Sequence, residues 1–234
     1  MKKLITISLF IVTFCCINLL NAQITKQSQW KGVPCEDCVA PGASTEKGGS
    51  NSVQNGNGSI ATSYTATACG LNFTQATVRL NKRAFTGMTT QTGVNQPATF
   101  AISGIPACFT ILKAFLYTGG SGNGVAITAN ITNPLLVAGA YPMTMIGQHN
   151  DKCWGYVGTF NYRADVTAAI SGNGNYIISG IPCLGAQPND MDGATLIIIY
   201  TDPTQTYTGH MVIGDGCHEA SGGNIQDIIG GFNV

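Results

Sequence analysis

The chain has 234 residues, 11 Lys and Arg against 11 Asp and Glu, a formal net charge of zero and only 9% charged residues. So few cations exclude a nucleic-acid binder, which needs clustered Lys and Arg against phosphates. They equally exclude a polybasic membrane-surface protein.

At the N-terminus, Lys2 and Lys3 precede a near-continuous apolar run over residues 4–20, and Ala22 offers a small residue before Gln23. This pattern predicts a signal peptide, residues 1–22, cleaved before Gln23. The run is short for a spanning helix, which needs ~20 apolar residues, and Asn18 and Asn21 spoil its end. A lipoprotein reading fails because Phe14 stands before Cys15 where a small residue is needed. The expectation is a secreted or outer-surface protein with no transmembrane segment after cleavage.

Residues 23–58 are rich in Gly, Ser, Asn and Pro without periodicity, which predicts a flexible leader. From residue 59 the pattern changes to period two. Ile60, Tyr64, Ala66 and Ala68 alternate with Ser63, Thr65 and Thr67, and Ala76, Val78 and Leu80 with Thr77, Arg79 and Asn81. Alternation places one face of a strand inside and one in water. Residues 111–117 and 196–200 are apolar almost throughout, as expected of central strands buried on both sides. Further strands are expected at 97–103, 125–131, 141–146, 156–163, 175–179, 206–213 and 227–234. The one helical turn expected is at 167–170, with Asp165 placed to cap it. Many short strands separated by turns predict an all-β fold, an antiparallel β-sandwich of Greek-key or jelly-roll type, over residues 59–234. The final stretch, 225–234, reads as a strand without a closing turn, so this domain is expected to be incomplete at its C-terminus. That implies a partner: a missing C-terminal domain or another surface polypeptide adding to the free edge.

One internal echo stands out. Phe100-Ala101-Ile102-Ser103-Gly104-Ile105-Pro106-Ala107-Cys108 is similar to Tyr176-Ile177-Ile178-Ser179-Gly180-Ile181-Pro182-Cys183. Each leads into an apolar strand ending Tyr-Thr, at Tyr117-Thr118 and Tyr200-Thr201. A strand, a Gly-Pro corner and a core strand would thus be used twice. The second copy has a longer link, read as a loop, containing Asn189, Asp190 and Asp192.

Outside the signal peptide the cysteines are Cys35, Cys38, Cys69, Cys108, Cys153, Cys183 and Cys217, an odd set. In an oxidising compartment they read as disulfide candidates. Cys35 and Cys38 form the best local pair, and at least one long-range bridge is expected among Cys108, Cys153, Cys183 and Cys217.

The stretches Tyr162-Arg163-Ala164-Asp165-Val166-Thr167, Gly172-Asn173-Gly174-Asn175-Tyr176 and Asp192-Gly193-Ala194-Thr195-Leu196-Ile197-Ile198-Ile199-Tyr200 form an ordered set. With Ile111-Leu112-Lys113-Ala114-Phe115-Leu116-Tyr117, this set resembles the N-terminal β-sandwich of large bacterial adhesin-like surface proteins. Some of those leave the cell by the type IX secretion route. The resemblance spans roughly residues 97–216. It implies a structural or adhesive role and supplies no catalytic residues.

Candidate chemistry is sparse. His149, His210 and His218 lie beside no Gly-x-Ser-x-Gly elbow, so no enzyme is expected and no catalytic residue is assigned. Calcium, the one cofactor considered, takes loop oxygens, and Asn189, Asp190, Asp192 and Asp215 could supply them. Sugars stack on exposed aromatics, and Trp154, Tyr156, Tyr162 and Tyr207 could serve. The expected function is therefore an exported structural or adhesive module of the cell surface. The alternative is a carbohydrate-binding domain, calcium-assisted, with glycans as partners.

Overall fold

The computed structural model describes residues 22–25, 60–83, 91–150, 155–184 and 188–217. Among these run β1 (Ala22–Thr25), β2 (Ala61–Cys69), β3 (Leu71–Arg79), β4 (Asn81–Arg83), β5 (Gln91–Val94), β6 (Ala98–Ile102) and β7 (Thr110–Gly122). They continue with β8 (Ile127–Thr132), β9 (Ala138–Asn150), β10 (Gly158–Asp165), β11 (Gly174–Ser179), β12 (Asn189–Thr201) and β13 (Thr208–Asp215). A 3-10 turn, Thr167–Ala169, follows β10, and the Asp165 carboxylate accepts the Thr167 N–H at 3.0 Å. The expected all-β antiparallel fold is what the chain forms.

Two sheets carry the structure. The larger has the order β3-β12-β7-β10-β9-β8-β11-β6, and the smaller β1-β13-β2; β4 and β5 form a separate pair. The larger sheet curls until its two ends meet, with the Thr74 hydroxyl of β3 donating to the Ser103 carbonyl just past β6 at 3.1 Å. Inside the curl lies the main core, with Phe100, Leu116, Ile131, Tyr162, Tyr176, Leu196 and Ile198. The smaller sheet packs on the outside of β3, β12 and β7. It encloses a second core of Tyr64, Leu71, Phe115, Tyr117, Ile197, Ile199, Met211 and Ile213.

This layering explains the sequence pattern. Along the central stretches of β7 and β12, successive side chains enter different cores, so both faces are largely apolar there. On β6 and β8, which have one wet face, burial alternates residue by residue. β12 begins at Asn189, so residues 189–193 are strand rather than the expected loop. The polar stretch is tolerated because the β12–β7 register shifts between Met191 and Gly193, a bulge. Gln23, Ile24 and Thr25, expected in the leader, pair with β13. The rest of the leader, most of the signal segment and residues 227–234 lie outside the described residues.

The internal echo is a spatial repeat. β6 pairs antiparallel with β11, placing Phe100 opposite Tyr176, and β7 pairs antiparallel with β12. Antiparallel pairing of like with like gives the two copies an approximate two-fold relation. Their corners match as well: Gly104 and Gly180 have φ of 84° and 82°, a region costly to residues with a Cβ. The isoleucine after each glycine is buried and held by a side-chain amide from the other copy. Asn173 accepts from Ile105 N at 2.9 Å and donates to its carbonyl at 2.6 Å. Gln96 does the same to Ile181, at 3.2 and 2.6 Å. A primary amide offers a donor and an acceptor side by side, matching the backbone N–H and C=O of one residue.

The turn between β2 and β3 shows how tightly the ends are fixed. Gly70 has φ of 62°, and a Cβ there would stand 2.0 Å from the Asp202 carbonyl oxygen. Asp202 N donates to Gly70 O at 2.9 Å, so the clash is with a backbone already tied down. Gly70→Ala is expected to destabilise the fold by about 1–3 kcal/mol. Urea denaturation reads this, and an unchanged midpoint would refute it.

Candidate functional site

Of the residues singled out for oxygen ligation, Asp190 and Asp192 share one setting, and Asn189 and Asp215 occupy two others. Asn189 is buried and spends its amide on the β7–β8 link, accepting from Asn123 N at 3.2 Å and donating to Val125 O at 2.9 Å. Asp190 and Asp192 both face the buried Asn81, whose amide nitrogen lies 3.5 and 3.3 Å from them. Asp215 sits between the two sheets against Arg163. Among the described residues no three His, Cys, Asp or Glu side chains gather as a metal would require.

The aromatic set is likewise divided. Tyr162 is buried in the main core, donating to Val125 O at 3.0 Å, and burial pushes its hydroxyl up to about 12. Tyr207 is half-buried and donates to Leu71 O at 3.0 Å; Tyr156 is half-buried near the opposite end of the curl. Trp154 lies outside the described residues. Strand periodicity assigns Tyr162 to a strand without saying which face it occupies.

Cys69 is disulfide-bonded, and none of the other three described cysteines is its partner. Cys108, Cys183 and Cys217 carry thiols, so they do not form the expected long-range bridge with one another. The reason is placement. Cys108 is exposed in the loop before β7, and Cys183 is buried past the far end of β11, where Gln96 Nε2 meets its sulfur at 3.1 Å. Burial pushes the Cys183 thiol up. Cys217 is buried after β13, beside Gly147. Cys35, Cys38 and Cys153 lie outside the described residues.

Between the sheets lies a charged cluster that the sequence does not announce. Arg163 on β10 stands opposite Tyr117 on β7, and both reach Asp215 at the end of β13. The Arg163 guanidinium is 2.5 Å from the Asp215 carboxylate and lies over the Phe115 ring, 4.6 Å from its centre. Tyr117 donates its hydroxyl to Asp215 at 3.1 Å. Burial raises the Asp215 carboxyl above its ordinary range, against the opposing pull of Arg163 and the hydroxyls of Ser63 and Tyr117. Burial also raises Tyr117, and Asp215 raises it further. The cluster clips the small sheet to the large one, with polar groups spent on one another.

Among the described residues the most exposed apolar cluster is at one end of the curl. Between β8 and β9, Leu135, Leu136 and Val137 are 72%, 81% and 61% exposed. The turn that carries them is rigidly built. The Asn133 side-chain oxygen accepts from Leu135 N and Val137 N, both at 3.0 Å, and Asn133 exchanges backbone bonds with Val137 and Leu136. Leu136 has φ of 62°, which costs a residue with a Cβ about 1–3 kcal/mol. Two further loops adjoin this turn. Pro134 packs against Gly174, Gly172 lies under Phe109, and Asn173 clamps Ile105. Across these loops, residues 103–109, 133–137 and 170–174, there is no Asp, Glu, Lys or Arg. The nearest charges along the chain, Lys113 and Asp165, are 2.7 Å apart as an ion pair. In the sequence, residues 132–140 read only as a gap between strands, because exposure in a turn has no periodicity.

No protein-family model matches the chain, and neither a curated protein nor a solved structure matches it.

Proposed function

We propose that this chain is an exported, non-enzymatic module of the cell surface, structural or adhesive, that attaches through the turn presenting Leu135, Leu136 and Val137 and the two uncharged loops adjoining it. The observation that carries the reading is three consecutive exposed aliphatic side chains held on a rigid turn, one of them at a costly backbone angle. Water disfavours such a display, and exposed apolar clusters of this kind mark contact sites. The signal-peptide pattern of residues 1–22 and the resemblance to bacterial surface proteins support export and a surface role. Among the described residues no helix is long and apolar enough to cross a membrane. The carbohydrate-binding alternative is less favoured, since Tyr162 is spent in the core.

The test is where the protein goes. In the producing cell, Leu135→Ser/Leu136→Asn/Val137→Ser is expected to shift the protein from the cell surface to the medium while its circular dichroism stays unchanged. Retention equal to wild type would overturn the reading.

A further inference from the structure

We propose that the surface engaged by Leu135, Leu136 and Val137 is an uncharged lipid bilayer, entered by the tip of the turn; this rests on the attachment reading above. Two observations select lipid over a protein partner. The first is size. A stable protein interface covers ~800 Å² on each partner, whereas the exposed apolar group here is three side chains on one turn between β8 and β9. A bilayer needs no matching surface, only apolar groups that reach past its headgroups.

The second is charge. The turn and the two loops that adjoin it hold no ionisable residue apart from the exposed thiol of Cys108; the charges at this end are the Lys113–Asp165 pair and Asp202 in the β12–β13 turn, whose carboxylate accepts from Thr204 and Gln205. The turn and its two loops therefore offer neither the cations that anionic headgroups attract nor a pattern of charges for a protein partner to complement. They also hold no anion that a headgroup phosphate would repel. Rigidity completes the argument. Asn133 fixes the turn through both Leu135 N and Val137 N, so insertion orders little that is not already ordered. Leu136, at the summit, is the most exposed of the three. Binding should be reversible, because three aliphatic side chains bury no more than a short acyl chain does.

The experiment is vesicle flotation with the full mature chain. Phosphatidylcholine vesicles are compared with vesicles containing added phosphatidylglycerol, at low and high salt. The expected result is equal binding to both, insensitive to salt. Leu135→Ser/Leu136→Asn/Val137→Ser should lower the bound fraction at least about tenfold. A second variant, Leu136→Trp, should keep binding and shift its added emission to the blue on phosphatidylcholine vesicles, so the claim does not depend on one substitution folding. Absence of wild-type flotation, binding to anionic vesicles alone, or an unshifted indole emission from the Leu136→Trp variant would each overturn the lipid assignment. If flotation fails while the triple variant is still shed from cells, the attachment reading stands and its target is protein. If the variant is neither shed nor impaired in flotation, both readings fall.

Discussion

Arg163→Met is expected to destabilise the folded chain by about 3–5 kcal/mol at neutral pH, the range for removing one partner of a buried ion pair. Methionine keeps much of the apolar stem that lies over Phe115, so lost packing is a minor part. What remains is the Asp215 carboxylate, buried between the sheets with only hydroxyl donors such as Tyr117. The pH dependence identifies the mechanism. Burial already raises the Asp215 carboxyl above its ordinary value of 3.8, and Arg163 is the largest opposing influence. Without Arg163 the carboxyl rises further. A raised folded value means the folded state binds the proton more tightly than the unfolded state does. The variant therefore recovers stability as pH falls through the folded value, and recovery is complete below the unfolded one. Asp165 and Asp202, both held low, lose stability on acidification, but they do so equally in both proteins. The deficit against wild type should narrow on acidification in urea denaturation. A constant deficit, or one under ~1 kcal/mol as for exposed pairs, would show that the cluster is wetter than its packing indicates.

Alanine substitution along β12 should show no alternation. Ile197→Ala, Ile198→Ala and Ile199→Ala are each expected to cost about 2–5 kcal/mol, because Ile198 is in the main core and its two neighbours are in the second. β6 provides the contrast. Phe100→Ala should cost about 3–5 kcal/mol, and the exposed Thr99→Ala within ~0.5 kcal/mol of nothing. Equilibrium denaturation of the set decides. A period of two along β12 would mean that the smaller sheet does not cover it.

The same contrast shows why so much of the fold is legible in the sequence. Period two at residues 60–68 and unbroken apolarity at 196–200 are direct records of one or two buried faces. The repeated Ser-Gly-Ile-Pro marks the two equivalent corners, because only glycine suits φ near 80° there. What stays hidden depends on partners remote in sequence. Asp192 and Gly193 look like a turn, and only β7 beside them makes them a bulged strand. Arg163 and Asp215 are unremarkable apart, and their pairing exists only once β13 closes over β10 and β7. Tyr162 on an alternating strand has even chances of either face. Leu135, Leu136 and Val137 read as apolar sequence, and apolar sequence ordinarily predicts burial.

The smaller sheet joins the two extremes of the described chain. The Ser63 hydroxyl on β2 donates to Ile213 O on β13, 150 residues later, and β3 finds its neighbour only in β12. Contacts this remote fold slowly, since long loops must close before any pairing rewards them. Both cores need β12, so a chain still being synthesised should stay open until β12 and β13 arrive. For a protein proposed to cross a membrane, that delay is useful. The polypeptide would remain threadable throughout transit and lock only on the far side, when β12 completes the main core and β13 reaches β2.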